Sequence, residues 1–342
     1  MSNPYRDPLT MIRKAPESSA STDSGVQLPA SPNPLIPASP EMGRGTIAGL
    51  QRWIRRALLP LHRGPGGRGS GGEPAGFPAT SEAQALAGLR SENPHCRWES
   101  AAYLGRNAHR SREAIAALVS ALTDPEEFVR WQAARALAAQ EAAHVFPALV
   151  EALNAPEPLR RAGAAEAMGY QGGEAAVVAL CKHLTDPDSG VRVAVALALR
   201  DLADPSSVPC LLPLLTDEDA GVRYAAANAL GRIGNPTTAK PMADALSQPD
   251  QPLLMRRALA AALVRTAHPE VQSVLSAALA DPDPQVRGYA AEALGHIGDE
   301  NAFAALSAAS ADESALLRGT VGGRARQALA MLERRGRHSH HG

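Results

Sequence analysis

Asp281-Pro-Asp-Pro-Gln-Val-Arg-Gly-Tyr-Ala-Ala-Glu-Ala-Leu-Gly-His-Ile-Gly298 decides the architecture, because its pattern returns along most of the chain. An arginine, usually after an apolar residue, is followed by Ala-rich sequence and by Leu or Met seven positions on. The copies are Arg97…Leu104, Arg130…Leu137, Arg161…Met168, Arg192…Leu199, Arg223…Leu230, Arg256…Leu263 and Arg287…Leu294. Successive arginines lie 33, 31, 31, 31, 33 and 31 residues apart, and a degenerate eighth copy starts at Arg318, broken by Gly319, Gly322 and Gly323. Six residues before the anchor arginine stands Asp124, Asp186, Asp217, Asp250, Asp281 or Asp312, while Ser91 and Ala155 take that place in the first and third copies. Self-similarity at a fixed period of this length is the mark of a repeat architecture.

Each period reads as two helices. The first is an apolar-periodic run such as Glu113-Ala-Ile-Ala-Ala-Leu-Val-Ser-Ala-Leu122, and the second is the arginine stretch, ending in Gly or a polar turn as in Gly231-Arg-Ile-Gly234. The Asp, often followed by Pro, is expected to stop one helix and cap the next. Positions −1, +3, +6, +7 and +10 from the anchor share one face, and their Val, Ala, Leu and Ile predict the core side. One such pair cannot bury that face alone, so neighbours must stack.

Composition agrees. Apolar residues are 45% of 342, yet only 12 residues are aromatic, so Ala, Leu and Val supply the bulk, as suits packed helices. Lys and Arg number 34 against 35 Asp and Glu, a net charge of −1, which argues against nucleic-acid binding by bulk charge. No apolar run is long enough to span a bilayer and no secretion signal is evident, so the cytoplasm is the expected compartment.

The quoted phrase, Asp-Pro-x-x-x-Val-Arg-x-x-Ala-Ala-x-Ala-Leu-Gly-x-Ile-Gly, resembles the HEAT repeat, in the short variety associated with phycobilisome lyases. The resemblance covers about residues 81–335 and implies an all-α fold, a right-handed α-α superhelix of armadillo/HEAT-like type with about eight helix pairs. It implies further that Asp124, Arg130, Asp186, Arg192, Asp217, Arg223, Asp281 and Arg287 belong to a hydrogen-bonded ladder between repeats, where charge-assisted bonds fix register.

Residues 1–80 differ. They hold 12 of the 28 prolines, 11 of the 29 glycines, and 9 basic against 5 acidic residues. Such a stretch cannot offset its ordering entropy by burial and reads as a disordered arm. Within it, 46–61 has helical periodicity: Ile47, Leu50, Ile54 and Leu58 share an apolar arc with Trp53 at its edge, opposite Arg52, Arg55 and Arg56. The segment suits docking on its own domain, on a partner or peripherally on a membrane, or, being short, forms no stable helix of its own. Residues 336–342 read as a flexible His-containing tail.

Two enzyme groups resemble these repeats. Deoxyhypusine hydroxylase carries His-Glu iron ligands directly after the anchor arginine; here those positions read Trp98-Glu99, Trp131-Gln132, Ala162-Gly163, Val193-Ala194, Tyr224-Ala225, Arg257-Ala258 and Gly288-Tyr289, without one histidine. A diverged relative of that group is the weakest alternative. Bilin lyases, whose HEAT subunits act with a partner subunit on a tetrapyrrole, offer no short motif to test and stand as the second alternative. Cys96, Cys181 and Cys210 are odd in number and occupy positions that are Val or Ala in other copies, so all three are expected to be buried hydrophobes rather than a disulfide or metal framework. No catalytic, cofactor or metal residue is assigned, and the reading leans against an enzyme.

Recognition falls instead to positions +1, +5 and +9 of the second helices, one ridge by the i, i+4 rule, expected on the concave side. Trp98, Trp131 and Arg135 form the expected main hot spot, and Tyr224, Arg232, Arg257 and Arg265 a second. Trp, Tyr and Arg are the residue types that anchor protein interfaces. The favoured function is a non-catalytic scaffold or adapter binding a protein, with no cofactor.

Overall fold

The computed structural model describes residues 79–339 except 109, with side chains to 335. The arm, with Ile47, Leu50, Trp53, Ile54 and Leu58, lies outside the described residues. The described chain holds sixteen α-helices and one isolated bridge, Ala315 to Thr320. First helices are α1 (Glu82–Gly88), α3 (Arg112–Ala121), α5 (Ala142–Leu153), α7 (Glu174–Cys181), α9 (Val208–Leu211), α11 (Ala239–Leu246), α13 (Gln272–Ala278) and α15 (Glu300–Ala309). Second helices are α2 (Pro94–Asn107), α4 (Glu127–Ala138), α6 (Pro158–Gln171), α8 (Ser189–Leu202), α10 (Ala220–Ile233), α12 (Leu253–Thr266), α14 (Pro284–Ile297) and α16 (Val321–Ser339). They alternate as eight pairs stacked into a solenoid.

The core is the anchor-relative pattern made physical. Position +7 (Leu104, Leu137, Met168, Leu199, Leu230, Leu263, Leu294) is fully buried in every copy. So is +4, which is always alanine: Ala101, Ala134, Ala165, Ala196, Ala227, Ala260 and Ala291. From the first helices Leu118, Leu149, Leu180, Leu211, Met242 and Leu275 meet them at essentially zero exposure.

The aspartates six residues before the anchor do not cap the second helices, contrary to the sequence expectation. The cap lies two residues later, where Asp188, Asp219 and Asp283 accept the N–H of Val191, Val222 and Val286. The earlier aspartates instead accept the N–H of that cap residue, as in Asp188 N to Asp186 (2.9 Å) and Asp219 N to Asp217 (2.8 Å). A carboxylate has lone pairs to spare after such a turn, and these take a guanidinium of the preceding repeat.

Gly234 ends α10 as its left-handed cap (φ 72°), while Gly231 and Gly295 lie inside α10 and α14. In four copies position +8 is glycine, and there the next second helix approaches closely, whereas the other three copies carry Ala138, Arg200 and Val264. A Cβ on Gly105, Gly169, Gly231 or Gly295 would stand 2.6–3.0 Å from the nearest atom of Ala136, Ala198, Ala262 or Ala328 on the next second helix. At these four boundaries, α2/α4, α6/α8, α10/α12 and α14/α16, the second helices meet at backbone distance.

The eighth copy is shifted. Arg318 is exposed in the loop before α16, and Ala328 opposes Gly295 as Ala262 opposes Gly231, so Gly322 takes the anchor position. Its Cβ would lie 2.4 Å from the Ser310 carbonyl, leaving no room for a side chain. Cysteine needs a second correction. Cys96 is buried, but Cys181 and Cys210 are half-exposed on successive first helices and are joined by a disulfide, with their Cα atoms 5.8 Å apart. The pairing was hidden because each occupies a different offset in its own repeat.

Candidate functional site

The ladder is laid down first, since it holds the second helices in register. Arg97, Arg161, Arg192 and Arg256 each donate through Nε and Nη2 to both oxygens of Asp124, Asp186, Asp217 and Asp281 of the following repeat. Arg287 joins Asp312 through Nε (2.7 Å) and the Ser314 hydroxyl through Nη2 (2.8 Å). The remaining nitrogen turns back to carbonyls at the start of its own helix, as from Arg192 to Asp186 O at 2.8 Å. Each aspartate thus ties a turn and a neighbouring repeat at once. Burial opposes ionisation of Asp186, yet the hydrogen bonds from Arg161 and the Asp188 amide keep its carboxyl below the usual value. Arg287 and Ser314 hold Asp312 down to about 2.

Two rungs are incomplete. Ala155 gives Arg130 no carboxylate, and Asp250 is exposed at a positive φ of 62° in a repeat two residues longer. Among the described residues Arg130 and Arg223 hold only the carbonyls of their own turns.

The ridge proper has three zones. At the amino-terminal end Trp98 and Trp131 stand half-exposed on α2 and α4. Trp98 stacks on His95 (centroids 5.9 Å apart, 14° between planes), and the Arg135 guanidinium lies 4.8 Å over the Trp131 ring. Such a cation over an indole is pre-positioned yet still presents its outer edge. In the middle, Ala162, Val193 and buried Leu197 make a smooth apolar floor, flanked by Tyr170, whose hydroxyl donates to Glu166 (2.8 Å). Toward the carboxyl end Tyr224 is half-exposed, and Arg232 and Arg265 are exposed in the last turns of α10 and α12.

Arg257 does not belong with them. Its guanidinium is joined to both oxygens of buried Asp283 at 3.0 and 2.5 Å, and Asp283 caps α14. That bond, chiefly, keeps the Asp283 carboxyl below its ordinary value. The residue braces two repeats while 40% of its side chain stays exposed. Glu292 is likewise engaged, by Arg324, which also lies over Tyr289 at 5.6 Å. Sequence reading missed the Arg257 brace because its partner is 26 residues away; the signal available was an arginine at position +1 of one repeat together with a second aspartate, Asp283, two residues after the ladder Asp281 of the next.

Among the described residues no three His, Cys, Asp or Glu side chains converge as a metal group, and no helix is long and apolar enough to cross a membrane.

A family model described as HEAT repeats matches residues 82–169, 177–254 and 250–330. No curated protein matches the chain. Among solved structures, YibA of Escherichia coli is 21% identical over 74% of this chain and 93% of its own, with a TM-score of 0.53. The CpcE–CpcF complex of phycocyanin lyase from Nostoc is 24% identical over 80% and 100% (TM-score 0.36), and human deoxyhypusine hydroxylase 27% over 74% and 96% (TM-score 0.32). Of these three, the YibA likeness bears on the fold.

Proposed function

The chain belongs to the HEAT-repeat family, and on that premise we propose that it is a non-catalytic scaffold that binds a protein along the side shared by its second helices. One observation carries the reading: Trp98 and Trp131, with Arg135 stacked over the latter, are half-exposed on adjacent helices held in fixed register. Large aromatic surface in water has a cost that a partner removes, and rigid Trp and Arg lose little freedom on binding. The apolar floor at Ala162, Val193 and Leu197 extends the surface, and Tyr224, Arg232 and Arg265 form its second anchor. Partners of this surface are proteins, bound in the cytoplasm, and the arm serves as a tether.

The weaker alternative, a diverged hydroxylase, gains nothing from the site. The two positions that follow each anchor arginine hold no histidine, and Trp98, Trp131 and Tyr224 among them offer the chemistry of contact. Affinity capture from native lysate tests the reading, comparing the parent with a Trp98→Ala/Trp131→Ala variant whose helical circular dichroism is unchanged. A protein retained by the parent and lost by the variant supports it. Identical retention by both removes it and makes the tryptophans a cover for the end of the stack.

A further inference from the structure

The first helix of the fifth repeat is the least regular element of the stack. Pro209 and Pro213 each lack the N–H that would continue a helix, and the segment breaks into a 3-10 turn (Pro205–Ser207), the four-residue α9 and a second 3-10 turn (Leu212–Thr216). Its apolar side is nevertheless in the core, since Val208, Leu211, Leu214 and Leu215 are all buried. On one side the fifth repeat has a complete rung, Arg192 to Asp217. On the other, Arg223 meets no carboxylate among the described residues, so that boundary lacks the inter-repeat bond. A short, proline-broken segment with one incomplete boundary opens locally before its neighbours do.

Cys210 sits in this segment, and Cys181 is the last residue of α7, the regular first helix beside it. Their Cα separation of 5.8 Å is within the span a disulfide bridges, and both residues are half-exposed, unlike buried Cys96. They are 29 positions apart in sequence, with all of α8 between them. We propose that Cys181 and Cys210 form an oxidisable dithiol, a redox-responsive staple that fastens the irregular first helix of repeat five to repeat four. Oxidation proceeds by exchange with a low-molecular-weight disulfide such as oxidised glutathione. One thiolate attacks a glutathione sulfur and expels glutathione thiolate; the second protein thiolate then attacks the mixed disulfide and expels the other. Two protein thiols lose two protons and two electrons in all, and one glutathione disulfide becomes two glutathione thiols. Because each repeat touches only its neighbours, the consequence is confined to the fourth and fifth repeats. The staple acts on stiffness there and is independent of which partner the second-helix side binds.

The test uses the full chain equilibrated in glutathione buffers from fully reduced to strongly oxidising, followed by alkylation of free thiols and peptide mass mapping, with amide hydrogen exchange on the same samples. The expected result is a Cys181–Cys210 linked peptide that appears in oxidising buffer and is lost in reducing buffer under native conditions, with Cys96 unmodified. Amides of 205–216 exchange about tenfold faster in the reduced protein while those of α14 are unchanged. Cys210→Ser gives the fast exchange in both buffers. Alkylation of both cysteines throughout the oxidising range overturns the proposal. So does a linkage that native reductant cannot open, or one whose formation leaves exchange of 205–216 unaltered.

Discussion

Gly231→Ala sets two elementary effects against each other. Inside a helix, alanine is preferred over glycine by about 1 kcal/mol, so propensity alone makes the substitution stabilising. The structure reverses the sign. The new Cβ would lie 2.6 Å from the Ala262 Cβ and 2.9 Å from its Cα, atoms fixed to the α12 backbone that no rotamer change can move. Relief to an ordinary contact near 3.8 Å demands that α10 and α12 separate by about 1 Å, and overpacking of that kind costs about 1–3 kcal/mol. The net expectation is a loss of about 1–2 kcal/mol at the boundary of repeats five and six, one of the two boundaries without a charged rung. Since repeats couple only to neighbours, amide exchange is the suitable assay: protection in α10 and α12 should fall about tenfold, with α2 and α4 unaffected. Adding Ala262→Gly removes the nearer contact and should restore part of the protection in a double-mutant cycle. Unchanged or increased protection in Gly231→Ala alone would refute the claim that backbone contact, rather than a helix end, is why glycine stands there.

Three further outcomes are expected. Arg192→Met strands the partly buried Asp217 carboxylate and should cost about 3–5 kcal/mol, whereas Arg223→Met removes only bonds to carbonyls and should cost about 1–2 kcal/mol; denaturant midpoints of the two variants check the ranking. Asp312, with its folded pKa near 2 and its unfolded value at 3.8, adds stability that is complete above about pH 4 and is lost as pH falls through the folded value, so acid titration between pH 4 and 2 should destabilise the last repeats less steeply in Asp312→Asn. Arg257→Ala should loosen the start of α14 by about 1 kcal/mol, a value kept low because the arginine is partly solvated, while Arg232→Ala should leave exchange unchanged; equal effects in the two would contradict the division made between brace and ridge.

The legible part of the site was its placement. Positions +1, +5 and +9 follow from 3.6 residues per turn, so Trp98, Trp131, Tyr224, Arg232 and Arg265 could be assigned to one side before any coordinates. What each side chain does there could not. Arg257 and Arg265 occupy related places on α12 and look equivalent in sequence, yet one is joined to Asp283 of the next repeat and the other is exposed in the last turn. The aspartates show the same limit on a smaller scale: of two carboxylates two residues apart, Asp281 receives Arg256 and the Asp283 amide, while Asp283 caps α14 and receives Arg257, and only the direction of each side chain decides which does which.

The sequence by itself determined the period, the two helices per period and the buried stripe. Those features rest on separations of three, four and seven residues, which one helix turn converts directly into a shared side. Tertiary structure alone decided the partners across repeats: Arg257 with Asp283, Gly231 with Ala262, Cys181 with Cys210. The members of these pairs lie 26 to 31 residues apart, close to one period but seldom equal to it. Whether two such residues meet depends on how far one helix is rotated and slid against the next, a quantity set by the summed packing of both surfaces and written in neither repeat alone.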